Sequence, residues 1–135
     1  MKLFFFLFFA IFSTNSVLSQ SVKTKSDSTS LSSDNKVYSS VEEKPEYVGG
    51  IIEFYNFAGR NYRVPNVRGL KGRVIVQFIV EKDGSLSGVK VLKDLGHGTG
   101  DEAVRVLKKC QKWIPGKQNG TPVRALYSLP INIAS

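Results

Sequence analysis

Two runs of residues in the middle of the chain have the apolar pattern of β-strands. Residues 74–80 and 86–92 are rich in Val, Ile and Leu, and Asp83 and Gly84 stand between them. Asp-Gly between two such runs is the strongest short-range signal of a β-hairpin. The sequence therefore predicts two strands joined by a tight turn.

Two further segments have the spacing of amphipathic helices. Apolar residues recur at intervals of three and four in residues 51–61, and again from residue 101 to about residue 112. The second segment begins with Asp101 and Glu102 and ends with lysines, which complements the helix dipole. The pattern predicts one helix before the hairpin and one after it.

A third strand is predicted over residues 123–133, after a turn-rich connector at residues 115–122. A right-handed crossover makes it parallel to the second strand and antiparallel to the first, so the expected sheet order is second, first, third. The predicted fold class is α+β, a three-stranded antiparallel sheet with two helices in the order helix, strand, strand, helix, strand. The predicted core comprises Val76, Phe78, Val91, Val106, Leu107 and Trp113.

Proline at position 130 places the third strand at a sheet edge. Proline has no backbone N–H to donate, so it is confined mainly to edge strands, which leave backbone groups free to pair with another chain. The sequence therefore predicts a peptide-docking edge, although ordinary cross-strand packing is an equal alternative for Arg124 and Tyr127. Its candidate residues are Arg124, Ala125, Leu126, Tyr127, Ser128, Leu129, Pro130 and Ile131.

The first 19 residues have the features of a secretory signal peptide: Lys2, an apolar run at residues 3–12, and small residues before Gln20. We expect cleavage after Ser19 and a periplasmic protein. The alternative is an uncleaved inner-membrane anchor, but such a helix needs about 20 apolar residues. Residues 20–46 are polar and predict a flexible tether; the rest of the chain, residues 47–135, is the predicted domain.

Positive charge is concentrated in that domain. The chain carries 19 basic and 11 acidic residues, a net charge of +8, and residues 47–135 hold 14 basic and six acidic ones, also +8. Export and the scattered placement of these residues argue against nucleic acid. The charge favours acidic protein segments, anionic lipid or cell-wall polymer, and a solvated surface explains it as well.

Residues with catalytic or metal-binding chemistry are few. His97 lies between two glycines, without a cysteine or acid at metal-ligand spacing. Asp83 and Asp94 follow strands, and Cys110 falls on the apolar face of the second predicted helix. Trp113 is expected to close the core. The sequence predicts no enzyme active site, no metal and no cofactor.

Six short motifs follow one another along the predicted domain: Gly69-Leu70-Lys71-Gly72-Arg73-Val74, Val80-Glu81-Lys82-Asp83-Gly84, Asp101-Glu102-Ala103-Val104-Arg105, Trp113-Ile114-Pro115-Gly116, Asn119-Gly120-Thr121-Pro122-Val123 and Leu129-Pro130-Ile131. In this order and spacing they resemble the C-terminal domain of TonB energy transducers, especially those of Bacteroidetes type, over about residues 47–133.

The resemblance implies a periplasmic module that binds a short N-terminal segment of TonB-dependent outer-membrane transporters. That segment adds as a strand beside the last strand, where backbone hydrogen bonds supply affinity and alternate side chains supply selectivity. The resemblance also implies energy-coupled nutrient transport, with motor or cell-envelope proteins as further partners. The alternative is an envelope scaffolding domain without energy transduction.

The chain departs from this family near its N-terminus. Family members usually carry an uncleaved membrane helix with a Ser and a His, followed by a proline-rich spacer. Here no histidine precedes His97, and residues 20–44 contain no proline. We therefore expect binding without direct pulling. With Gly98 and Gly100, the loop before the second helix is also expected to be looser than in the family.

Overall fold

The computed structural model describes residues 35–135. The predicted signal peptide and the tether up to residue 34 lie outside the described residues. The elements in chain order are β1 (Val37–Tyr38), α1 (Ile51–Asn61), β2 (Lys71–Val80), β3 (Leu86–Lys93), α2 (Thr99–Lys109), β4 (Lys117–Gln118), β5 (Thr121–Pro122) and β6 (Arg124–Ala134).

The main sheet is four-stranded and mixed, in the order β1-β6-β2-β3. β2 is antiparallel to both β3 and β6, which confirms the predicted order and directions of the three long strands. The prediction of a three-stranded antiparallel sheet is wrong because β1 adds a fourth strand, parallel to β6. A strand of two residues is too short to show alternation in a sequence.

The predicted connector contains a small sheet of its own. β4 and β5 pair antiparallel, and the turn between them places Asn119 and Gly120 at φ of 52° and 73°. Asn and Gly tolerate this left-handed conformation better than other residues. The connector therefore reaches β6 through a hairpin that the sequence analysis did not predict.

The core lies between the two helices and one face of the sheet. Alternate residues of β2 and β6 are buried on this face, as the period of two requires. The predicted core is confirmed except at Val91, which is only partly buried because β3 is the outer strand. The core comprises Tyr47, Phe54, Ala58, Val74, Val76, Phe78, Val80, Ala103, Val106, Leu107, Trp113, Leu129, Ile131 and Ile133.

Trp113 is the centre of an aromatic cluster. It is 3% exposed, and its ring centroid lies 5.5 Å from that of Tyr47, 5.3 Å from Phe78 and 5.2 Å from Tyr127. The prediction that Trp113 closes the core is confirmed. Its backbone N–H donates to the Gly84 carbonyl oxygen at 2.8 Å, which fixes the end of the β2–β3 hairpin on the core.

Residues 35–46, which the sequence analysis assigned to the tether, contact the domain. Glu43 and Lys117 exchange two backbone hydrogen bonds of 3.1 and 2.9 Å, and Glu46 and Ile114 exchange two of 3.1 and 2.7 Å. Pro45 is buried. The contacts of the domain therefore begin before the predicted boundary at residue 47.

The loop before α2 is fixed by the Asp94 carboxylate. It accepts the backbone N–H groups of Gly96 at 3.1 Å and Gly100 at 3.0 Å, and the hydroxyl of the buried Thr99. The bond from Thr99 contributes most to the lowered pKa of Asp94. These bonds hold the loop in place, and α2 starts at Thr99, two residues before the predicted Asp101.

Both helices have 11 residues. In the part of the chain that the structure describes, no helix is long and apolar enough to cross a membrane.

Candidate functional site

All eight predicted docking residues lie in β6. One edge of β6 pairs with β2 over ten consecutive positions, from Ala125 to Ala134. On the other edge, β1 lies opposite Arg124 and Ala125 only. The prediction of an entirely open edge is therefore wrong for Arg124 and Ala125, and within residues 35–135 no strand pairs with the rest of this edge.

The side chains of β6 alternate between the two faces of the sheet. Ala125, Leu129 and Ile131 are buried against the helices, whereas Ser128 and Pro130 are exposed on the opposite face. The side chains of the first group belong to the core and offer a partner little accessible surface. What the edge offers a partner is chiefly its backbone.

The direction of that backbone follows from Pro130. Proline lacks an N–H, and the Pro130 carbonyl oxygen accepts a hydrogen bond of 2.9 Å from the Tyr55 hydroxyl. Pro130 therefore directs its carbonyl group away from β2, towards the open edge. In an antiparallel pair this direction alternates from residue to residue, so the N–H and C=O of Ser128 and Asn132 also point outwards.

Arg124 has a structural role at the covered end of the edge. Its guanidinium forms a bidentate ion pair with Glu81, at 2.7 and 3.0 Å, and donates to the Asn35 carbonyl oxygen at 2.9 Å. The bond from Arg124 is the largest cause of the lowered pKa of Glu81. Arg124 thus connects the hairpin to the residues that lead into β1.

A groove of about 390 Å³ runs between α1 and the C-terminal half of β6, at residues 131–133. This half belongs to the part of the strand that β1 leaves open. Its lining is mostly apolar and aromatic, and it includes the exposed backbone of Gly59 on α1. The sequence analysis missed this groove because only tertiary packing brings α1 beside β6. The lining residues are Tyr55, Ala58, Gly59, Tyr62, Val64, Ile131, Asn132 and Ile133.

Two tyrosines in this groove are anchored by their hydroxyl groups. Tyr55 donates to Pro130, and Tyr62 donates to the Thr99 carbonyl oxygen at 2.7 Å. Burial raises the pKa of Tyr55, and burial with nearby carboxylates raises that of Tyr62 to about 12. Both side chains are therefore neutral hydrogen-bond donors at physiological pH.

A second hollow, of about 520 Å³, lies beside β6 where β1 ends. It is lined by the chain that leaves β1, including Val41, and by Leu126, Tyr127 and Ser128 of β6. The two hollows lie at successive stretches of the same strand. Together they border the part of the edge that β1 leaves unpaired.

The C-terminal end of β6 lies in a basic environment. Lys71, Arg73 and Lys93 line a shallow cleft together with Asn132. The Arg73 Nε donates to the Asn132 side-chain oxygen at 3.2 Å. Within residues 35–135, none of these three cations forms an ion pair with an acidic side chain.

The other candidate residues lie apart from this edge. His97 is exposed in the loop before α2, and Asp83 bonds to Ser85 within the hairpin turn. Cys110 is half-buried at the end of α2, where its thiol donates to the Leu107 carbonyl oxygen at 3.0 Å. Among the described residues, no group of three His, Cys, Asp or Glu side chains is placed to hold a metal ion.

Residues 66–132, from the loop before β2 to Asn132 in β6, match the family model described as "Gram-negative bacterial TonB protein C-terminal". This domain belongs to the TonB C-terminal family. Among solved structures, the NMR solution structure of the Helicobacter pylori TonB C-terminal domain matches at 21% identity and a TM-score of 0.44, covering 62% of this chain and 91% of that chain. No match was found among curated proteins.

Proposed function

We propose that this TonB C-terminal domain is a periplasmic protein-binding module that recognises TonB-dependent outer-membrane transporters by strand addition to β6. The observation that carries the proposal is the edge of β6 from Ser128 to Asn132, which no strand within residues 35–135 covers. The backbone groups of Ser128 and Asn132 point away from β2 there, as inferred from Pro130. An edge of this kind accepts an extended peptide through main-chain hydrogen bonds. Membership of the TonB C-terminal family supports the choice of partner.

The geometry of the sheet favours β6 over β3, which lies at the opposite edge. The β2–β3 pairing has two register shifts, and β3 carries Lys90 and Lys93. Bulges and lysines are devices that discourage edge-to-edge pairing. The β2–β6 ladder is in continuous register. β6 is therefore the better template for an added strand.

β1 limits where the added strand pairs. It already lies opposite Arg124 and Ala125, so the stretch open to a partner runs from Ser128 to Asn132. The docking site is thus shifted towards the C-terminus relative to the predicted residues. A partner that pairs further towards Arg124 has to displace β1.

In the cell, we propose that the chain is exported through its first 19 residues and that the domain acts in the periplasm in energy-coupled nutrient uptake. The features that support export are the short apolar run and the small residues that follow it. Motor or cell-envelope proteins are further partners of such a module.

The proposal is tested by two variants of Ser128 and a synthetic peptide from the N-terminal segment of a TonB-dependent transporter of the same organism. Ser128→Pro removes an outward N–H and no bond to β2, so we expect peptide affinity to fall about threefold to tenfold, the effect of one hydrogen bond. Ser128→Ala keeps the N–H and should bind within about twofold of the wild type.

Isothermal titration calorimetry gives both affinities. Equal affinities of the two variants would show that the Ser128 N–H takes no part in binding. If the wild type does not bind the peptide but binds isolated envelope components, the domain is a scaffold and not a transporter-recognition module.

A further inference from the structure

We propose that the docking edge selects a partner strand in which an apolar residue is adjacent to an acidic residue. The apolar side chain occupies the groove between α1 and β6, and the acidic one faces Arg73 on the other side of the sheet. This inference rests on strand addition to β6 and specifies the chemistry of the segment that is added.

The groove is shaped for a side chain from a neighbouring strand. Tyr55 and Gly59 of α1 and Tyr62, which directly follows the helix, form one wall, and Ile131 and Ile133 of β6 lie on the other side. Gly59 is exposed, and a Cβ atom built on it would have no atom within 4 Å, so this side of the groove is open to an incoming side chain. Burial of an apolar side chain there removes its surface from water and stabilises the complex.

The occupant must be an extended chain because of what borders the groove. Ser128 and Asn132 direct unpaired N–H and C=O groups into the space beside β6, on either side of the Pro130 carbonyl oxygen held by Tyr55. A strand that bonds to these groups lies along the groove, and every second side chain points towards the helices. One of these side chains enters the groove.

The neighbouring residue of the added strand points to the opposite face, where the charge is positive. Arg73 lies across from Asn132 in the β2–β6 ladder and reaches its side chain. Lys71 and Lys93 lie in the same cleft, and within residues 35–135 no carboxylate neutralises these cations. An acidic residue at this position of the partner complements the local charge.

The groove is tested with Gly59→Leu, which fills it from α1. Leucine is a better helix former than glycine, and the substituted position is exposed, so the domain should keep its fold. Asn56→Leu is the matched control, since it adds the same side chain to α1 outside the groove lining. The probe is the transporter-derived peptide, chosen to contain an adjacent apolar and acidic residue.

We expect Gly59→Leu to bind this peptide at least about tenfold more weakly, which corresponds to losing the burial of one apolar side chain. Asn56→Leu should bind within about twofold of the wild type. Replacing the apolar peptide residue by Ala should weaken binding to the wild type but have little further effect on Gly59→Leu.

The contact between Arg73 and an acidic residue of the partner is tested with Arg73→Gln. The control is Lys109→Gln, which removes one positive charge from the exposed end of α2. Arg73→Gln should weaken binding about twofold to fivefold at low salt, the range of an exposed ion pair. Replacing the acidic peptide residue by its amide should abolish the difference between Arg73→Gln and the wild type. Lys109→Gln should have no comparable effect.

The results separate this inference from the proposed function. If the peptide binds and perturbs β6, but Gly59→Leu and Arg73→Gln bind as the wild type does, strand addition stands and the selection of an apolar and an acidic residue is wrong. If the wild type does not bind any transporter-derived peptide, the proposed function itself fails.

Discussion

Gly84 shows how a single residue holds the hairpin against the core. Its φ is 83°, and a Cβ atom built on it would lie 1.9 Å from the Trp113 carbonyl oxygen. The Trp113 N–H also donates to the Gly84 carbonyl oxygen, at 2.8 Å. Only glycine permits both the left-handed backbone and this close approach.

Gly84→Ala should therefore destabilise the domain by about 3 kcal/mol or more, since backbone strain and a steric clash combine. Gly96→Ala is the matched control: it has a φ of 76° and no atom within 4 Å of a Cβ. It should cost about 1–2 kcal/mol, the strain alone. Urea unfolding measures both, and equal losses would mean that the contact with Trp113 is unimportant.

For single residues, the sequence predicts the structural role correctly where that role follows from the chemistry of the residue itself. Pro130 marked the edge because it lacks a donor, and Trp113 was assigned to the core because a large aromatic follows a helix directly. Arg124 and Tyr55 were different, since their roles depend on Glu81 and Pro130, which lie 43 and 75 positions away in the chain. No local pattern in the sequence specifies such partners.

Among the elements, β1 differs most from what the sequence predicts. Its two residues come from a polar stretch, yet they pair with Arg124 and Ala125, the first residues of the proposed docking edge. The hairpin and α1 were predicted correctly because each contains enough residues to show its period. The position of β1 depends on distant partners: the residues after it pair through Glu43 with Lys117 of the connector and through Glu46 with Ile114 just before the connector.

Removal of residues 1–40 should uncover this part of the edge and leave the domain folded, because the contacts of Glu43 and Glu46 remain. The Leu126 N–H shares the outward direction of Ser128, so its hydrogen exchange should become at least about tenfold faster. The Leu129 N–H points towards β2 and should be unaffected. These rates come from NMR exchange, and an unchanged rate at Leu126 would show that β1 does not protect the edge.

At the scale of the whole molecule, the two helices and the sheet order decide which edge is available. Both helices cover the same face of the sheet, so every second side chain of β6 is buried there. The backbone of β6 lies at the edge of the three long strands, and β1 covers only its beginning. The order and directions of the long strands followed from the sequence through the right-handed crossover. The groove beside β6 could not be predicted from the sequence, since it forms only where α1 packs next to the strand.

The central claim is that a transporter segment adds to the open half of β6. The most direct measurement is an NMR titration of the labelled domain with the transporter-derived peptide. We predict that the amides of Ser128 and Asn132 shift strongly and become protected from hydrogen exchange, while those of β3 change little. Shifts centred on β3 or on the loop around His97, with β6 unchanged, would contradict the account.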